Sequence, residues 1–181
     1  MNFLVLDVDN TLIHTLILEH VEESKIRDIT NEVKKLYPRA GLITDPVIAL
    51  VVPRPGLDQF EGFLKDNHSR MQFGIYSTAR RAYINMALEL ACPWILENAE
   101  FIWDEQHCLD QKFKSMDMVS GHVRVPVRKI YAIDDLPVVM PEKQRIDIEP
   151  FAITSLIKTS TDRELGRVWR MLENLWALKR S

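Results

Sequence analysis

Apolar residues along this chain follow two rhythms. Short unbroken runs predict buried strands: Phe3-Leu4-Val5-Leu6, residues 47–52, Met71 to Tyr76, Phe101-Ile102-Trp103, Ile130 to Ile133 and, more weakly, Ile146 to Ile148. Between them the spacing becomes helical. Ile26, Ile29, Val33 and Leu36 recur among charges in a helix-like stretch from about Glu19 to Leu36, stopped by Pro38. Leu57, Phe60, Phe63 and Leu64 mark a helix from about Leu57 to Asn67, after the turn chemistry of Pro53-Arg54-Pro55-Gly56. A further helix is predicted around Arg81 to Ala91. The last helix follows a Thr161-Asp162 cap and carries Leu165, Val168, Trp169, Leu172 and Leu175. Residues 104–125 are mixed and polar and read as a loop with a helical turn near Met116 to Val119. Strands alternating with helices imply an α/β protein with a mainly parallel sheet wrapped by helices.

With 181 residues, 46% of them hydrophobic, the chain suits one well-buried domain, expected to span 1–181. A formal net charge of -3 gives no bulk attraction to nucleic acid or anionic membrane, so a nucleic-acid partner is disfavoured. Cys92 and Cys108 match neither a disulfide framework nor a zinc knuckle, and read as core fillers in a reducing compartment. No charged leader precedes the first strand and no apolar run approaches a membrane span; a soluble intracellular, cytoplasmic protein is expected.

The strand ends carry the candidate chemistry. The first run stops at Asp7-Val8-Asp9-Asn10-Thr11. Burying two carboxylates is costly without a cation, hydrogen bonds or protonation, which points to a metal or proton-transfer site. A plain turn fits that segment equally well, since Asp, Asn and Thr favour turns and caps. The balance moves because other strands repeat the design: Ile75-Tyr76 runs into Ser77-Thr78, and Ile130 to Ile133 into Asp134-Asp135. In an open α/β sheet such ends converge on one crevice.

In this order the motifs resemble the haloacid dehalogenase (HAD) superfamily: an apolar strand with D-x-D-x-T (Asp7 to Thr11), a strand ending in Ser or Thr (Ser77), a lysine, and an acidic pair (Asp134, Asp135). Arg54-Pro55-Gly56-Leu57-Asp58-Gln59-Phe60, the His107-Cys108 pair, Ile133 to Pro137 and the tail from Ile146 to Leu175 resemble the branch of phosphatases related to those of the RNA polymerase II C-terminal domain, the NLI-interacting-factor-like branch. The resemblance implies a Rossmann-like three-layer sandwich without a large cap domain, and a phosphomonoesterase. Asp7 would be the nucleophile forming an aspartyl phosphate, and Asp9 the general acid and later base. Ser77, with Thr78 behind it, would bind phosphate at a helix start. Lys114, with Lys112 as the alternative, would offset negative charge. Mg²⁺ would be held by Asp7, the backbone carbonyl of Asp9 and the acidic pair, Asp134 directly and Asp135 as a second or outer acceptor.

Thr11 reads as a structural group ordering the loop, and Arg54, Arg80 and Arg81 as either phosphate contacts or surface charge. The chain departs from the branch in Asn10, where a Glu is usual, in the helix-like stretch before the Arg-Pro-Gly turn, and in the wording of the lysine segment. The expected partner is a phosphorylated protein or small molecule, with phosphoserine or phosphothreonine in protein favoured. The alternatives are a nucleotide or polynucleotide 3'-phosphatase and an inactive interaction module on the same fold. A response-regulator receiver domain places its acidic pair first in the chain, and here it comes last.

Overall fold

The computed structural model describes residues 1–110, 113–136, 144–153 and 161–177. Its centre is a five-stranded sheet in the order β6-β5-β1-β7-β8. The strands are β1 (Asn2–Leu6), β5 (Met71–Tyr76), β6 (Ile102–Trp103), β7 (Ile130–Asp134) and β8 (Arg145–Asp147), and every pairing is parallel. β1 lies in the middle, with Leu6 beside both Ile75 and Ile133. Parallel strands end on one edge, so the residues that follow them gather there.

Alternation along β1 divides the core. Leu4 and Leu6 face a layer containing α2 (Leu57–Asn67), α3 (Arg81–Ala91) and α6 (Glu164–Ala177), where they meet Phe60, Leu64, Ile84, Leu88, Leu165, Val168 and Leu172. Phe3 and Val5 face α5 (Met116–Val123) through Met116 and Val119. Each such fully buried side chain contributes about 1.5–3 kcal/mol relative to exposure. The three layers are those expected.

The run at 47–52 does not join this sheet. It forms β4 (Ala49–Pro53), the middle of an antiparallel sheet β2-β4-β3 with Ile13–Ile17 and Gly41–Ile43 at its edges. Ala49 and Val51 face the main core, whereas Leu50 and Val52 face Ile26 and Val33 of α1 (Glu23–Leu36). An apolar run reports burial on both faces and says nothing about which sheet receives it. The short edge strands β2 and β3 and the six-residue helix α4 (Pro93–Asn98) were not anticipated. The helical turn near Met116 extends through a full α5. The stretch between β1 and α2 thus builds one small sheet covered by one helix, well short of a large cap.

Two glycines are required by position. Gly56 opens α2 at φ 86°, a left-handed conformation that side chains disfavour. Gly74 lets the Phe101 ring lie on β5, for a Cβ there would sit 2.5 Å from ring carbons.

Candidate active site

The hydrogen-bonded ladder continues past the end of β1, since the Asp7 N–H donates to the Ile133 carbonyl at 3.1 Å. The register of β1 with β7 therefore sets Asp7 beside Asp134, the last residue of β7. Both are buried, as are Ser77 and Lys114. Lys114 reaches in from the segment before α5, where the adjacent Ser115 hydroxyl accepts from the Met118 N–H and caps that helix. Its ammonium donates to Asp7 Oδ1 at 2.5 Å and to Asp134 Oδ2 at 2.6 Å. Lys112, the alternative, lies outside the described residues.

Oxygens of Asp7, Asp134 and Asp135 all lie within 4.8 Å of one another. The second oxygen of Asp134 accepts from the Leu136 N–H at 2.9 Å, so both its oxygens are engaged. Asp135 is held more loosely. The Thr11 hydroxyl donates to its Oδ1 at 3.4 Å and accepts from its backbone N–H at 3.2 Å. Thr11 thus orders the acidic pair as well as its own loop.

Asp9 points to a different partner. Its Oδ1 accepts from the Tyr83 hydroxyl of α3, and that hydroxyl lies 2.6 Å from the Thr15 hydroxyl of β2. Burial raises the Asp9 carboxyl from 3.8 to about 6; the Tyr83 hydrogen bond opposes this, and the charges of Asp7 and Asp135 add to it. Asp134 is likewise raised, to about 7, by burial and then by Asp7. Burial and Asp7 raise Asp135 too. For Lys114 burial works against the ammonium, but Asp7 and Asp134 outweigh it and hold the pKa above its ordinary value.

Among the described residues one ammonium faces four carboxylates here, and burial, with the charge of Asp7 adding to it, raises Asp9, Asp134 and Asp135. A clustered, all-oxygen donor set short of cation fits a hard divalent ion such as Mg²⁺.

Ser77 and Thr78 correct one expectation. Neither begins a helix, because α3 starts at Arg81 with Arg80 at its N-cap. The Ser77 hydroxyl accepts from the Ala79 N–H at 3.1 Å in a tight turn after β5, and Thr78 is exposed. The Ser77 N–H is spent on the Trp103 carbonyl at 3.0 Å. Ser77 is thus left with its hydroxyl proton for a phosphate.

Arg54 matches neither reading offered for it. It is 1% exposed and donates five hydrogen bonds: to both carboxylate oxygens of Asp162 at 3.1 and 2.8 Å, to the carbonyls of Asn10 and Thr11 at 3.1 and 3.2 Å, and to Glu149 O at 2.5 Å. Asp162 Oδ1 also accepts from the Glu164 N–H at 2.9 Å, the first residue of α6. Arg54 therefore locks the loop after β1 to the entry of the last helix. Arg81 is taken by Asp104 and the Ile102 carbonyl, and Arg80, exposed, lies 3.7 Å from Glu105.

Tyr83 and Thr15 were missed. Tyr83 was readable only as a residue early in a helix, and Thr15 lies in a strand too polar for a buried run.

Asp7, Ser77 and Asp134 at the ends of parallel strands, with Lys114 reaching in beside them, follow the motif order of the HAD-type phosphatases. The profile of the NLI interacting factor-like phosphatases matches residues 2–180, and the chain belongs to that family. Among solved structures it is similar to Fcp1, an essential RNA polymerase II CTD phosphatase, with TM-score 0.73 and 15% identity over 98% of this chain and 62% of that one. The fission yeast Fcp1-R271A variant bound to beryllium fluoride gives the same score and identity over 98% and 63%. The chain therefore spans less than two thirds of the Fcp1 chains it resembles. A putative β-phosphoglucomutase from Thermotoga maritima is similar at TM-score 0.58 and 9% identity, over 96% and 99%. No curated protein sequence matches. Among the described residues no helix is long and apolar enough to cross a membrane.

Proposed function

We propose that this chain is a single-domain, Mg²⁺-dependent phosphomonoesterase acting through an aspartyl phosphate on Asp7. The observation that carries it is the Lys114 ammonium bridging Asp7 and Asp134, with Asp135 completing the acidic cluster. Asp7 and Asp135 have open oxygens among the described residues and are the direct side-chain ligands in this reading, joined by the Asp9 carbonyl. Asp134, with both oxygens engaged, holds Lys114 in place. When bound, the cation neutralises carboxylate and phosphoryl oxygens so that one anion can approach another.

Lys114 adds fixed positive charge where the transferred group gathers negative charge. Ser77 offers its hydroxyl to a phosphoryl oxygen, and Thr78, exposed beside it, is a second contact. Asp7 attacks phosphorus as the P–O ester bond breaks, and Asp9 gives its proton to the departing oxygen. Asp9 then takes a proton from the water that attacks the aspartyl phosphate, which restores both acids and releases phosphate.

Phosphoserine or phosphothreonine in protein is the proposed substrate class. It is supported by the likeness to Fcp1, a CTD phosphatase, and by the absence, among the described residues, of a large cap over the edge that carries the acids. An intracellular, cytoplasmic setting belongs to the same proposal, supported by two buried free thiols. The test is hydrolysis of an aryl phosphate with and without Mg²⁺ by the native chain and by Asp7→Asn. Mg²⁺-dependent turnover lost in the variant is expected, and equal rates would remove the nucleophile. Faster turnover of phosphoserine peptides than of nucleotides or sugar phosphates would place the substrate.

A further inference from the structure

We infer that Tyr83 and Thr15 are positioning residues that fix the general acid, forming a relay Thr15→Tyr83→Asp9 that leaves one chosen carboxyl oxygen of Asp9 to carry the proton donated to the leaving group. The inference deepens the function proposed above and rests on it.

The direction of the relay follows from counting protons. The Tyr83 hydroxyl has one, and it is donated to Asp9 Oδ1. The contact of 2.6 Å between the Thr15 and Tyr83 hydroxyls then needs the Thr15 proton, so Thr15 donates and Tyr83 accepts. With Oδ1 occupied as an acceptor, the acidic proton of Asp9 belongs on Oδ2. A carboxyl free to turn about its terminal torsion would present either oxygen, because such torsions are broad. The hydrogen bond removes that freedom before substrate arrives.

Three separate pieces of the fold meet at this contact: the loop after β1, the edge strand β2 and the first turn of α3. Ile13, the first residue of β2, is bridged to Asp9 itself, so the strand that carries Thr15 is tied to the loop that carries the acid. Thr15 pairs with Val51 across the small sheet, and Val51 is fully buried. The small sheet thereby reaches into the chemistry, a role beyond covering the core.

A positioning role for the proton donor makes a prediction that general scaffolding does not. Breaking a P–O bond to an alkyl oxygen needs the proton, because an alkoxide is a poor leaving group. Breaking one to a nitrophenolate barely does. General acid catalysis contributes about 10²–10⁴-fold where it is needed, so Tyr83→Phe should lower kcat/KM about thirtyfold or more on a phosphoserine peptide and about threefold or less on p-nitrophenyl phosphate. Thr15→Val should show the same selectivity with a smaller loss.

The experiment measures kcat/KM for native, Tyr83→Phe, Thr15→Val and Asp7→Asn proteins, at saturating Mg²⁺, over a series of phosphate esters whose leaving groups differ in acidity. Each protein's melting temperature is recorded alongside. A steeper dependence on leaving-group acidity in both relay variants is the expected result. Equal losses on alkyl and aryl esters would overturn the inference and make Tyr83 structural. Should Tyr83→Phe fail to fold, the Thr15→Val slope decides alone, and a slope equal to the native one overturns it. If Asp7→Asn matches the native protein on every ester, the proposed nucleophile fails instead, a result distinct from the loss of selectivity sought here.

Discussion

Replacing Arg54 with Met should destabilise this protein although the side chain touches none of the residues proposed to contact phosphate. The side chain is 1% exposed, and its five hydrogen bonds join the loop after β1, the Glu149 carbonyl and Asp162 at the entry of α6. Met fills similar space but leaves three carbonyls and a carboxylate without their donor. Removing one partner of a buried ion pair costs about 3–5 kcal/mol, and the 15% exposure of the Asp162 side chain, which restores part of its hydration, favours the lower part of that range, about 3–4 kcal/mol. At about 2–4 °C per kcal/mol for a domain of this size, the melting temperature should fall by about 6–16 °C. Thermal denaturation followed by circular dichroism measures it. The same substitution in an Asp162→Asn background should cost less, because the two groups act through one another. A shift under about 2 °C, or strict additivity of the pair, would refute the assignment of Arg54 as an internal clamp.

Other expectations are more local. Lys114→Met removes the one ammonium between Asp7 and Asp134 and should lower kcat/KM by about 10²–10³-fold in steady-state assays; a loss under tenfold would count against its role. Asp9 must carry its proton to donate it, and burial raises its pKa from 3.8 to about 6, so kcat/KM on a phosphoserine peptide should fall about tenfold per unit above that pH. A limb centred near 4 would show that burial does not set the acid. Thr11→Val frees Asp135 and should raise the half-saturating Mg²⁺ concentration by about tenfold or more, read from activity against added Mg²⁺; an unchanged value would reduce Thr11 to a loop residue. Gly74→Val drives a side chain into the Phe101 ring and should cost about 1–3 kcal/mol in chemical denaturation, whereas an unchanged midpoint would mean that the ring can move aside.

Much was legible in the chain alone. Unbroken apolar runs ending in acids or hydroxyls predict strands buried on both faces, and parallel strands share an edge, so the gathering of Asp7, Ser77, Asp134 and Asp135 at one edge was readable from local pattern. That Lys114 would join them was readable only from its place in the motif order, since a lysine before a helix is locally no different from any surface lysine. Tertiary structure decided what depends on residues distant in sequence. It sent the run at 47–52 to a second sheet, because burial on two faces leaves the strand's partner open. It turned Arg54 inward, because the carboxylate that compensates it stands 108 residues away. It aimed Tyr83 at Asp9 across 74 residues, where a tyrosine early in a helix carries no local mark of its target. The chain's own periodicity sets which residues are buried and which end a strand; which charges and hydroxyls meet is set by packing, where the cost of leaving a buried polar group unpaired selects one arrangement.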